Sequence, residues 1–168
     1  RAINSMLPAP PDVRSEKSAR LCEAIASSAV WSDARTVAIF APMPREPDVE
    51  MLWQRAGGKV LAYPRVEDDH LGFYSVGTLH ELRAGRWGIR EPVADSARAV
   101  VPDTIDLVLV PGTAFTRDGH RLGRGGGYYD RFLAGLPATA CRIGVCFDFQ
   151  IVPELPTEPP RSEEHTSE

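Results

Sequence analysis

The residue types best suited to chemistry are crowded into "RLGRGGGYYDRFL", Arg121 to Leu133, which holds four glycines, three arginines, two tyrosines and an aspartate. Gly123, Gly125, Gly126 and Gly127 carry a high cost in chain entropy, so their backbone freedom has to serve a close approach. Glycines just before a helix expose successive N–H groups, and the helix dipole favours an anion there. Arg121 and Arg124 add guanidinium groups that can grip phosphate oxygens with two bonds at once. Asp130 falls in the first turn of the expected helix, where it can cap free N–H groups or hold a magnesium ion that bridges phosphates. Tyr128 and Tyr129 offer flat faces or hydroxyls to a ligand, although one of two adjacent helical tyrosines ordinarily faces the core. The loop is neither of the common nucleotide loops. A P-loop needs Lys and Ser/Thr after its last glycine, and a dinucleotide turn starting at Gly123 would need glycine where Tyr128 stands.

The elements that must position this stretch can be read from apolar pattern and punctuation. Asp12 is a plausible cap for a helix through "SEKSARLCEAIASS", with Leu21 and Ile25 on one stripe. "TVAIFA" (Thr36–Ala41) reads as a buried strand. "PDVEMLWQRAGG" reads as a second helix, opened by Pro47 and stopped by Gly57 and Gly58. "KVLAYP", "LGFYSV", "DLVLVP" and "RIGVCF" read as strands, "GRWGIREP" as a loop, and Tyr128 to Ala134 as a helix. Helices alternating with continuous apolar strands predict a single α/β domain, with a mainly parallel central sheet and helices on both faces. In such sheets ligands sit beyond the carboxyl ends of the strands, which is where the glycine stretch falls, after "DLVLVP".

Bulk properties narrow the function classes. The chain has 168 residues, 43% apolar and 25% charged, enough for one ordinary core. A net charge of −4 is too small to argue for a nucleic-acid or membrane surface, so any positive site has to be local. No apolar run has the length of a membrane span, and "RAINSMLPAPPD" lacks a secretory apolar core. Cys22, Cys141 and Cys146 have neither pairing nor zinc spacing, and are expected to be small buried residues in a reducing, cytoplasmic setting. His70, His80, His120 and His165 are scattered without metal-ligand spacing.

Taken whole, "DLVLVPGTAFTRDGHRLGRGGGYYDRFL" closely resembles the signature of the 5-formyltetrahydrofolate cyclo-ligases, a strand followed by PG-x-[AG]-F, a turn and G-x-RLG-x-G-x-GYYD. "AIFAPMPREPD", "GRWGIREP" and "CRIGVCFDFQIVPELP" resemble further segments of that family, so the likeness runs from about Arg14 to Pro159. The resemblance implies an ATP- and magnesium-dependent ligase, with ATP as co-substrate, that turns 5-formyltetrahydrofolate into 5,10-methenyltetrahydrofolate and releases ADP and phosphate. It implies that Arg121, Leu122, Gly123 and Arg124, with Gly125, Gly126, Gly127, Tyr128 and Tyr129, contact ATP. It further implies that Arg124 through Tyr128 face the folate, with Arg124 and Tyr128 the catalytic candidates, and that Asp130 binds the metal. Ala41 and Glu46 map to substrate-side positions, with Glu46 accepting hydrogen bonds from the pterin. Without the resemblance Glu46 reads as a surface carboxylate before a helix. Trp87 reads either as a stacking surface or as a plug for its own loop.

Relatives begin with a helix carrying K-x-x-[LR]-R and end near P-x-x-x-HD, whereas this chain starts at "RAINSM" and has "PTEPP" at the corresponding place. A family domain over residues 1–160 shortened at both ends is therefore expected. "RSEEHTSE" (161–168) lacks apolar periodicity, resembles the translation of a sequencing-adapter oligonucleotide and is set aside from the fold. The expected partner is the formylfolate, without nucleic acid or membrane, and the expected state is a monomer. Two rival classes predict different behaviour. A non-catalytic folate-binding module would bind folate without ATP turnover, and an unrelated nucleotide- or anion-binding protein would bind ATP without any effect of formylfolate.

Overall fold

A computed structural model describes residues 10–156. The expectations on the first nine residues, on most of "PTEPP" and on residues 161–168 lie outside the described residues.

The chain opens with α1 (Pro11–Ala26) and α2 (Ala29–Asp33), then β1 (Thr36–Ala38). Pro11 takes the first helical position, where its missing N–H costs nothing, so α1 starts before Asp12, which sits in the first turn instead of capping it. α2 was not expected from sequence. It is a single turn whose cap is Ser28, the side chain accepting from Trp31 N–H at 3.2 Å. Its purpose in the fold is to bury Trp31, 3% exposed.

After β1 the expected helix at 47–58 is a tighter 3-10 helix, Val49–Arg55, capped by Asp48. A 3-10 turn stacks residues i and i+3 in one column. Val49 and Leu52, at that spacing, are both fully buried, while Gly57 and Gly58 end the element as expected. β2 (Val60–Glu67) and β3 (His70–Ser75) then form an antiparallel hairpin in register from Ala62↔Ser75 to Glu67↔His70. The segment "GRWGIREP" is more ordered than a loop: β4 (Arg83–Ala84) pairs with β5 (Arg90–Glu91) across a turn at Arg86–Gly88.

β6 (Leu107–Val110) leads into a small hairpin, β7 (Ala114–Phe115) with β8 (Arg121–Leu122), and then into α3 (Tyr128–Ala134) and β9 (Cys141–Gly144). The central sheet has the order β3-β2-β1-β6-β9, with β1, β2, β6 and β9 parallel and β3 antiparallel. Alternation sorts its side chains to two faces. Val37, Leu61, Tyr63, Leu107 and Leu109 pack with Cys22, Ile25 and Trp31 of the first two helices. Ala38, Ala62, Val108 and Val110 pack on the opposite face, against Phe132 and Leu133 of α3. The sheet is therefore mainly parallel and covered by helices on both faces, as expected.

The cysteine expectation needs correction. Cys22 is buried, but Cys141 is exposed and Cys146 only half-buried. β9 is the sheet's edge strand and ends at Gly144, so alternation does not carry on to Cys146. Among the described residues no helix is long and apolar enough to cross a membrane.

Candidate active site

The strand order places the site. β1 has β2 on one side and β6 on the other, so the chain leaves these two neighbouring strands toward a shared crevice at their carboxyl ends. The loop after β1 carries Glu46, and the loop after β6 carries the glycine stretch. The two meet: Arg124 Nη2 donates to Glu46 Oε2 at 2.5 Å, joining residues 78 apart in sequence.

Glu46 is built into its loop. Its N–H donates to Met43 O at 2.9 Å, and its Oε1 accepts from Met43 N–H at 2.9 Å, so the turn clasps the carboxylate from both ends. The residue is 8% exposed. Burial holds its carboxyl above the usual carboxylate range, opposed by the Met43 N–H and the Arg124 guanidinium. Ala41, also buried, lies on the segment between β1 and this turn. A buried carboxylate beside a half-exposed arginine is an acceptor poised for N–H donors, not a solvated surface charge.

On the other side, the β7–β8 hairpin delivers the glycines. Gln150 braces its entrance, its Nε2 donating to Gly112 O at 2.9 Å and Thr113 O at 3.2 Å while its Oε1 accepts from Phe147 N–H. Gly112 allows the hairpin to close, since a Cβ there would lie 2.9 Å from Arg121 Cγ. Arg121 is held in place by three partners: Pro111 O at 3.1 Å, Asp130 Oδ1 at 3.0 Å, and the Tyr129 ring beneath its guanidinium at 5.6 Å. Gly125 and Gly127 adopt φ of 99° and 71°, a left-handed backbone that turns the chain into α3. That helix spans the seven residues expected, a length that gives it only a small dipole. The anion-attracting groups here are chiefly the guanidiniums and the loop N–H groups.

Tyr128 and Tyr129 divide their roles. Tyr129 packs edge-on against Phe132, and its buried hydroxyl has no hydrogen-bond partner among the described residues. Burial raises its pKa, with Glu46 adding to the shift and Arg121 and Arg124 opposing it. Its ring therefore belongs partly to the core while its hydroxyl faces the charges of the site. Tyr128 lies outward, with the Arg131 guanidinium 5.1 Å from its ring centroid and the Trp87 ring 6.4 Å away at a 55° tilt. Trp87 is 66% exposed and sits at φ 58°, so it is not a plug for its own loop. The supporting parts of Arg131 and Gln150 were not singled out from sequence. Arg131 lies one turn inside the helix and reads as a solvated charge until its contacts with Tyr128 and with Asp69 O are seen.

The donor set was weighed for magnesium. No group of three His, Cys, Asp or Glu side chains converges among the described residues. Asp130 is a single exposed carboxylate already paired with Arg121. Such a group fits a magnesium ion that arrives on nucleotide phosphates, because that ion keeps much of its shell as water and phosphate oxygen. It does not amount to a protein cage. A groove of about 680 Å³ lined by Arg35, Arg55 and Lys59 lies at the amino ends of β1 and β2, away from these residues.

Comparison with known proteins bears on the chain as a whole. The sequence profile of the 5-formyltetrahydrofolate cyclo-ligase family matches residues 5–164. A 5-formyltetrahydrofolate cyclo-ligase of Mycolicibacterium smegmatis is 37% identical over 136 residues, covering 74% of this chain and 68% of its own length. The protein of that name from Escherichia coli is 36% identical over 134 residues, covering 74% of this chain and 72% of its own. The structure of 5,10-methenyltetrahydrofolate synthetase from Aquifex aeolicus superposes with a TM-score of 0.78 at 31% identity, over 94% of this chain and 78% of that one. A synthetase of the same description from Mycoplasma pneumoniae, at 22% identity and a TM-score of 0.71, shares the fold. With a profile match along nearly its whole length and relatives that share both sequence and fold, this chain belongs to the 5-formyltetrahydrofolate cyclo-ligase family.

Proposed function

We propose that the chain converts 5-formyltetrahydrofolate and ATP into 5,10-methenyltetrahydrofolate, ADP and phosphate. The observation that carries this reading is the Glu46–Arg124 contact, which brings an acceptor for a heterocycle and a phosphate-binding loop to one crevice. A formamide carbonyl is a weak electrophile. Transfer of the γ-phosphoryl group to its oxygen turns that oxygen into a leaving group, after which N10 attacks the carbon, the ring closes and phosphate departs. Such transfer depends on positioning and on charge neutralisation, so it asks for donors and cations and not for a protein nucleophile.

The placement of these residues supports the following roles. Glu46 accepts from pterin N–H groups, with Ala41 lining the same side. Arg124 then turns to the transferred phosphoryl group. Arg121, Leu122 and Gly123 through Gly127 supply guanidinium and N–H contacts to the nucleotide phosphates, and the Tyr129 hydroxyl faces the same charges. Tyr128, backed by Arg131, and Trp87 offer ring faces to the folate. Asp130 would hold magnesium, which on binding neutralises phosphate charge. A monomer in the cytosol, working without nucleic acid or membrane, suits the −4 charge and the three free thiols.

The test separates the two ligands. Glu46→Gln is expected to weaken 5-formyltetrahydrofolate binding by roughly 10- to 100-fold, the span of a hydrogen bond to a charged group, with ATP affinity nearly unchanged. Arg124→Ala is expected to lower kcat by roughly 100-fold, a larger loss than the stability it costs by leaving Glu46 without its cation, since it removes a charge that acts in the transition state. Unchanged folate affinity in the first variant, or equal losses of stability and turnover in the second, would remove that residue from the site.

A further inference from the structure

Trp87 stands exposed in a strained backbone conformation, φ 58°, which a bulky residue adopts only when its surroundings impose it. The local turn is closed by Gly85 N–H donating to Ile89 O at 2.8 Å, but that bond does not tie it to the rest of the molecule. The ties come from β5, directly after the turn. On one side Glu91 is buried and accepts from Val66 N–H at 3.2 Å, fastening β5 to β2. On the other side Arg90 Nη2 donates to Glu50 Oε1 at 2.7 Å.

Glu50 is the hub of a nearly buried polar network. Its side chain is 12% exposed, and its second oxygen accepts from Tyr63 Oη at 3.0 Å. Tyr63, fully buried, accepts in turn from Trp53 Nε1 at 2.9 Å. Every member is satisfied, so the network is rigid and removal of one member leaves a buried polar group without a partner. Glu50 also lies four residues after Glu46, on the 3-10 helix that continues from the Glu46 turn. This ion pair therefore connects the segment that carries the pterin acceptor with the turn that carries Trp87, beside the packing of Ile89 against the core cluster that holds Val49 and Leu52.

We propose that Arg90 is a positioning residue for the folate site, its ion pair with Glu50 holding the Trp87 turn beside Tyr128, where the two tilted rings form one aromatic wall against which the folate ring rests. The inference rests on the folate reading given above, and its mechanism is preorganisation. Without the tether the turn has other conformations open to it, and the folate must select one of them.

The experiment measures Kd for 5-formyltetrahydrofolate and for ATP by calorimetry on the whole chain, in wild type, Trp87→Ala, Arg90→Met, Arg90→Lys and the Trp87→Ala/Arg90→Met double variant. Arg90→Met is expected to weaken folate binding about tenfold through misplacement of the ring, with ATP affinity unchanged. Arg90→Lys, which keeps the charge on a long stem, is expected to recover most of that loss. In the Trp87→Ala background Arg90→Met is expected to change folate affinity less than about twofold, because residues that act as a unit are not additive. Equal losses for folate and ATP, or a full additive loss in the double variant, would overturn the proposal by marking Arg90 as merely structural. A loss in Trp87→Ala with none in Arg90→Met would overturn it while leaving the folate reading intact. Wild-type protein that melts cooperatively yet does not bind formylfolate would overturn both.

Discussion

Glu46 poses the sharpest question of acid–base chemistry in the molecule. Burial raises its pKa, so the folded protein holds that proton more tightly than the unfolded chain does. The sign follows directly. Its stabilising contribution is full below the ordinary carboxylate value and is lost as pH rises through the raised folded value. Glu46→Gln cannot titrate, so its stability relative to wild type is expected to grow with pH across that window and then level off. Urea unfolding of both proteins at a series of pH values reads this, and a gap constant through the carboxylate range would contradict the burial argument. Under the proposed role of Glu46 as a pterin acceptor, binding would run the opposite way to the stability, since an ionised carboxylate is the better acceptor. From sequence alone Glu46 was an ordinary carboxylate before a helix, and only likeness to a family raised it. Its partner could not have been found from spacing, because the contact with Arg124 spans 78 positions and exists only through the strand order.

At the scale of elements, the glycine loop and α3 were the most legible part of the chain. Glycines followed by Tyr128 to Ala134 predict a loop and a helix start, and α3 occupies those residues. Gly127 is the pivot, at φ 71° on the helix cap, where an L side chain costs about 1–2 kcal/mol. A Cβ there would also meet Arg131 Nη1 at 2.8 Å, shifting the guanidinium that backs Tyr128. Gly127→Ala is thus expected to lose about 1–2 kcal/mol of stability and to raise KM for both substrates. Gly58→Ala, with nothing within 4 Å, serves as its control and is expected to stay within about 0.5 kcal/mol of wild type. Denaturant midpoints and steady-state kinetics check both, and equal behaviour of the two variants would deny Gly127 its special place. Other elements were hidden for physical reasons. β7 and β8 are two residues each, too short to show alternation, and are defined by the closing of Arg121 over Gly112. The 47–58 segment carries helical punctuation, but the burial of Val49 and Leu52 three apart favours the tighter 3-10 winding.

For the whole molecule, the sheet is the platform on which the two loops meet. "DLVLVP" and "TVAIFA" announced it, because runs apolar on both faces are found where helices cover both sides. Leu109, fully buried in β6 on the face toward α1, sits two residues before the loop that leads to the glycines. Leu109→Ala is expected to cost about 2–5 kcal/mol in denaturant unfolding, the range for cavities in a packed core. Below the melting transition KM for ATP should change little, since the cavity opens beneath the site and not within it. A large KM change with little loss of stability would mean that β6 is more pliant than its packing implies. Cyclo-ligase activity is tested most directly by absorbance at the methenylfolate band with 5-formyltetrahydrofolate, ATP and magnesium, alongside ADP release. It predicts a rise that requires both ATP and magnesium, with one ADP formed for each methenyl product. Folded protein that binds both substrates yet gives no rise, or that releases ADP without methenylfolate, would contradict it.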